Sequence, residues 1–100
     1  MQYIRHSIST LPREHSVSVL LHTDLATAQK RLFTEIGTLE YHVDPNRRKP
    51  LVLLRSEADD LDWFGRELAR LPFRFEVLAP TELARRLERH AKQLLQCVAR

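Results

Sequence analysis

The apolar periodicity of this chain switches between two residues and about 3.6 residues, and it does so twice in the same order. Residues 16–22 alternate, with Val17, Val19 and Leu21 set against Ser16, Ser18 and Leu20, and the β-branched members favour a pleated strand. Thr23 or Asp24 then caps a helix whose apolar residues Leu25, Ala28, Leu32 and Ile36 recur at helical spacing, with Gly37 expected as its left-handed C-terminal residue. Alternation returns in Leu39, Tyr41 and Val43 against Thr38, Glu40 and His42. The second half repeats this plan. Residues 51–55 read as a short strand, and Ser56 as the cap of a helix over residues 57–71 that opens with Glu57, Asp59 and Asp60. That helix carries the stripe Leu61, Phe64, Leu68 and Leu71 and stops at Pro72. Residues 73–79 form the fourth strand, with Phe73, Phe75 and Val77 on one face and Arg74, Glu76 and Leu78 on the other.

Between the halves lies a turn, residues 44–50, with two prolines and an asparagine. After Pro80, Thr81 caps a long final helix reaching about Val98, striped by Leu83, Leu87, Leu94 and Val98 with Ala91 and Leu95 beside them. The order β-α-β-β-α-β with an added helix predicts an α+β domain. Right-handed crossovers close it as a four-stranded antiparallel sheet with two helices on one face, the ferredoxin-like arrangement. Residues 15–100 make up that domain. Residues 1–14 read as a connector from an upstream domain, with Tyr3, Ile4, Ile8 and Leu11 along one side of a short helix ended by Pro12.

An expectation about interaction follows from the sheet. The face opposite the helices should be polar if it meets water. Yet residues 51–54 are apolar on both sides, and Leu20 and Leu78 point away from the core-facing sets of their strands. The open face is therefore expected to carry an apolar patch, covered by the last helix folding back or by another chain. Each large aliphatic residue covered would contribute about 2–3 kcal/mol. The residues expected in a homodimer contact are Leu20, Val52, Leu54 and Leu78 on the sheet, with Leu87, Leu94 and Leu95 on the helix.

Composition narrows the function classes. Apolar residues are 43% of the chain and charged ones 29%, the balance of a globular domain. The longest apolar run, residues 51–54, is too short for a membrane span, and residues 1–11 lack the pattern of a signal peptide, so a cytoplasmic protein is expected. Cys97 is the single cysteine, which fits a reducing compartment and leaves no internal disulfide. The net charge of +3 comes from 16 basic and 13 acidic residues that are interspersed, so charge alone argues for no partner.

No constellation points to catalysis. The five histidines, His6, His15, His22, His42 and His90, lack the converging ligand set of a zinc site. His22 and His42 each precede an aspartate by two residues at a strand end, but their strands are not neighbours in the expected sheet. Nothing pairs Cys97 with a base, and two glycines, Gly37 and Gly65, make no phosphate loop. The chain is expected to be no enzyme and to need no metal or other cofactor. Arg47, Arg48 and Lys49 form a basic tip on the central turn, read first as solvated and second as a nucleic-acid or anion contact. Arg85, Arg86, Arg89 and Lys92 read as the wet face of the last helix, partly neutralised by Glu82 and Glu88. RNA-recognition modules share this fold but stack bases on aromatics of the two central strands. SVSVLLH and LVLLR contain none. Trp63 lies beside its helix stripe and reads as core-edge packing or a partner anchor.

The stretch ADDLDWFGRELARLPFRFEVLAPTELARRLERHAKQLL, residues 58–95, resembles the end of bacterial WYL-domain transcriptional regulators. Those proteins carry a helix of pattern LxxxAxxLAxL (here residues 61–71), a strand FxVxxP (residues 75–80), and P-x-x-L opening a terminal amphipathic helix (residues 80–83). VSVLLHTDLATAQKRL and GTLEYHV upstream are similar to the way that extension, the WCX type, begins. The resemblance spans about Val17 to Leu95. It implies a ferredoxin-like fold, dimerisation and a response to an effector, and a parent regulator that binds DNA through a winged helix-turn-helix ahead of a WYL domain. A nucleotide or nucleic acid is the effector class it suggests. The DNA-reading helix and the WYL residues that grip an effector have no counterpart here, so no ligand-binding residue is carried over. A small-metabolite-binding regulatory module is the alternative reading, and a nucleic-acid contact through the basic turn a second one.

Overall fold

A computed structural model describes residues 15–32 and 36–98. The expected connector and the Tyr3–Leu11 stripe lie outside these residues. The elements are β1 (His15–Leu21), α1 (Leu25–Arg31), β2 (Thr38–His42), β3 (Leu51–Ala58), α2 (Leu61–Ala69), β4 (Phe75–Ala79) and α3 (Thr81–Val98). Strand order is β2-β3-β1-β4 and every pairing is antiparallel. The protein therefore has the expected α+β architecture with the extra C-terminal helix. β1 and β2 run on either side of β3, as the crossover requires.

Register sets the faces. Val17, Val19 and Leu21 oppose Ser56, Leu54 and Val52 across β1–β3, while Val77 and Phe75 oppose Val19 and Leu21 across β1–β4. Side chains alternate in direction along a strand, so these residues share one face. Val17, Val19, Leu21, Val52 and Leu54, together with Ala28 of α1, Leu61, Phe64 and Leu68 of α2, and Leu83 of α3, belong to a single core, against which Phe75 and Val77 pack partly buried. A break in register between Ser18 and Val19 sits at the bulge beside Ala79.

Three boundaries differ from the sequence-based expectation. β3 continues through Ala58, because Ser56 and Ala58 keep the alternation of Val52 and Leu54 and pair with Val17 and His15. Ser56 therefore caps nothing; its hydroxyl donates to the Ile36 carbonyl. Asp60 caps α2 instead, accepting from the Trp63 N–H at 3.0 Å. The first helix ends at Arg31, where Leu32 already takes extended backbone, although Leu32 and Ile36 stay in the core. Asp24 caps that helix by accepting from the Thr27 N–H at 2.7 Å, and this bond holds its carboxyl below the ordinary carboxylate value.

The two glycines answer different needs. Neither has positive φ, so Gly37 is not a left-handed cap. A Cβ on Gly37 would meet the Arg55 carbonyl oxygen and, at 2.9 Å, the Ser56 Cβ, so the residue lets its segment lie against β3. A Cβ on Gly65 would sit 3.4 Å from Leu87 Cδ2 and 3.7 Å from Leu83 Cδ1, both ends of flexible side chains. Gly65→Ala should accordingly change stability by less than about 1 kcal/mol, since a gain in helix propensity of about 1 kcal/mol offsets the crowding. Urea midpoints of the two proteins check this; a loss above about 2 kcal/mol would show that α2 and α3 cannot part by even a few tenths of an ångström.

Candidate interaction surfaces

The helix α3 runs back along α2. Leu83 and Leu87 lie against Gly65, and Arg86 bridges the pair, with Nη1 at 2.8 Å from Asp62 and Nε at 3.0 Å from Glu82. The Glu82 bond first, and then Asp62, raise the guanidinium further above its usual value, so it stays charged. α3 packs on α2 and on the edge strand β4 rather than across the open sheet face. The packing stops midway. From Ala91 to Val98 every residue is exposed, and Leu94, Leu95 and Val98 present 51%, 65% and 72% of their surface. Eight helical residues span about 12 Å, so two turns of amphipathic helix project with their apolar stripe uncovered.

The open sheet face is less greasy than expected. Val52 and Leu54 were expected there, but they oppose Leu21 and Val19 and are fully buried in the core. They are unavailable to a partner chain. The open-face residues of β3 are Leu51 and Leu53, which are nevertheless only 9% exposed and lie outside the main core cluster. Leu53 is flanked across the sheet by Leu20, which is half-buried, and by Glu40. Glu40 meets Arg55 at 2.9 Å in an ion pair, and His22 Nε2 lies 2.7 Å from Glu76 Oε1 in a hydrogen bond, so polar contacts edge the face. Leu78 is 53% exposed. Of the expected contact residues, then, Leu78, Leu94 and Leu95 are open, Leu20 and Leu87 are half-buried, and Val52 and Leu54 are enclosed.

Sequence reasoning passed over Tyr41 and Val43, which are exposed at the end of β2. Tyr41 pairs with Val52 and so faces the helix side, but α1 is seven residues long and leaves that end uncovered. Alternation alone gives the strand but not how far along it the covering helix reaches. Trp63 is half-exposed, with its ring at 74° to that of Phe64 and centroids 6.2 Å apart, the edge-on contact of a core-edge residue.

On the central turn, Asp44 organises the basic tip. Its carboxylate accepts from the Asn46 N–H at 2.9 Å, its carbonyl accepts from the Arg47 N–H at 2.9 Å, and the Arg47 side chain lies 3.8 Å from it. Arg48 and Lys49 are exposed. Among the described residues no group of three or more His, Cys, Asp or Glu is placed to hold a metal ion, and Cys97 is exposed. No helix among them is long and apolar enough to cross a membrane.

The arrangement defines a class: a ferredoxin-like α+β domain whose prominent surface features are a projecting amphipathic helix and a cleft between its last two helices. Within that class, the chain belongs to the WCX domain family, whose model matches residues 13–95. This membership is consistent with a regulator-associated domain. No curated protein and no solved structure matches the chain.

Proposed function

We propose that this chain is a non-catalytic dimerisation and effector-response domain of a bacterial, cytoplasmic transcriptional regulator whose DNA contacts lie in other modules. The observation that carries the reading is the uncovered stripe Leu94, Leu95 and Val98 at the end of α3. Two turns of helix gain little from propensity alone and are stabilised chiefly by burying an amphipathic face. A second copy supplies such a face by symmetry, because a two-fold contact sets the same stripe against itself. Leu78 extends the apolar surface on β4. Membership in the WCX family supports the regulatory setting.

Light scattering and sedimentation of the 100-residue chain test the reading. The expected result is a concentration-dependent dimer whose Kd rises at least about a hundredfold in the double variant Leu94→Asp, Val98→Asp, because two carboxylates would be desolvated per chain. A chain that stays monomeric up to about 1 mM overturns the dimerisation part of the proposal.

A further inference from the structure

We infer that the cleft between α2 and α3 binds a small organic anion, with its phosphate or carboxylate group on Arg66 and Arg89 and its body on Leu61, Gly65 and Leu87. The cleft has a volume of about 290 Å³ and is lined by residues of both helices. That size stands at the lower end of ligand clefts, about 300–1,000 Å³, and suits a small molecule better than a polymer.

Charge selects the ligand. Asp62 is the one acidic residue of the lining, and Arg86 already holds it at 2.8 Å while also holding Glu82. Arg66 and Arg89 take part in no ion pair among the described residues, whereas Arg55, Arg70 and Lys92 each have an acidic neighbour. Two uncompensated guanidinium groups from facing helices, with His90 beside them, thus share one concavity. Two guanidinium groups lining one cleft without an acidic partner favour an anion, and the planar guanidinium fork matches the oxygens of phosphate and carboxylate. Gly65 lines the cleft, and its lack of a side chain lets Leu83 and Leu87 of α3 lie close against α2 there.

This inference gives a place and a ligand class to the effector-response part of the proposed function, rests on that part, and is independent of dimerisation. The test is titration of the ¹⁵N-labelled chain, at constant ionic strength, with phenyl phosphate, inorganic phosphate and hexanoate followed separately by NMR. Saturable shifts centred on Gly65, Arg66 and Arg89 are expected, with the comparison of phosphate and hexanoate identifying the favoured head group. Arg66→Gln with Arg89→Gln, and Arg89→Gln alone, should weaken binding at least about tenfold with the spectrum otherwise retained, while Arg70→Gln should not. No saturable shift with any of the three up to about 20 mM, or shifts undiminished in both variants, overturns the inference. Sizing the same samples separates the two ideas: binding by a chain that never dimerises sinks the dimer and upholds the site.

Discussion

Phe64→Ala is expected to lower the stability of the domain by about 3–5 kcal/mol. Phe64 is 1% exposed, lies at the centre of the α2 stripe between Leu61 and Leu68, and belongs to the same buried cluster as Val17 and Val19 of β1 and Val52 and Leu54 of β3. Truncation removes the transfer free energy of the ring and leaves a cavity that the surrounding β-branched and leucine side chains cannot fill without leaving their rotamers. A domain of this size has a total stability of about 5–15 kcal/mol, so the loss is a large fraction of the whole. Urea denaturation followed by circular dichroism measures it, and Trp63, the single tryptophan and the ring neighbour of Phe64, provides a second probe. A loss below about 1 kcal/mol would mean that α2 does not dock on the sheet through this residue.

Gly37→Ala is the other large effect, about 2–3 kcal/mol of destabilisation, and its cause is different. The added Cβ meets a backbone carbonyl, that of Arg55, and the Cβ of Ser56, and no rotamer change moves either. The segment is also tied to β3 by the Ser56 hydroxyl on the Ile36 carbonyl, so it cannot swing away without losing that bond. With no positive φ at Gly37, the cost is steric and not a matter of backbone conformation. The paired comparison with Gly65→Ala is therefore informative: one methyl strikes fixed backbone and the other the ends of leucine side chains. Equal urea midpoints for the two variants would contradict this account.

Much of the architecture was legible because period and order are local properties. Strict alternation at Val17, Val19 and Leu21 and the helical stripe Leu61, Phe64, Leu68 each identified a buried face correctly. The turn at 44–50 separated the halves, and short connections then leave few topologies. The boundary between β3 and α2 was not legible, since Ser56 and Asp60 are both good capping residues. Long-range pairing of Ser56 and Ala58 with β1 decided between them. The phase of residues 51–54 was equally hidden: a run of apolar residues has no alternation to read, and Val52 and Leu54 could be turned inward only by their register with Leu21 and Val19.

The same division holds for the surfaces. That the last helix is amphipathic to Val98 was determined by the sequence, along with the motif that places the chain in the WCX family. Which turns of that helix are left uncovered was decided by the tertiary structure. α2 has nine residues, about 13 Å, and α3 has eighteen, about 27 Å, so one cannot cover the other. Arg89 read as part of the wet face of the last helix; only the close approach of the helices at Gly65 brings it into one cleft with Arg66. Periodicity records which face of an element is apolar, but contact also depends on where a neighbouring element ends, and that distance is set only when the chain is packed.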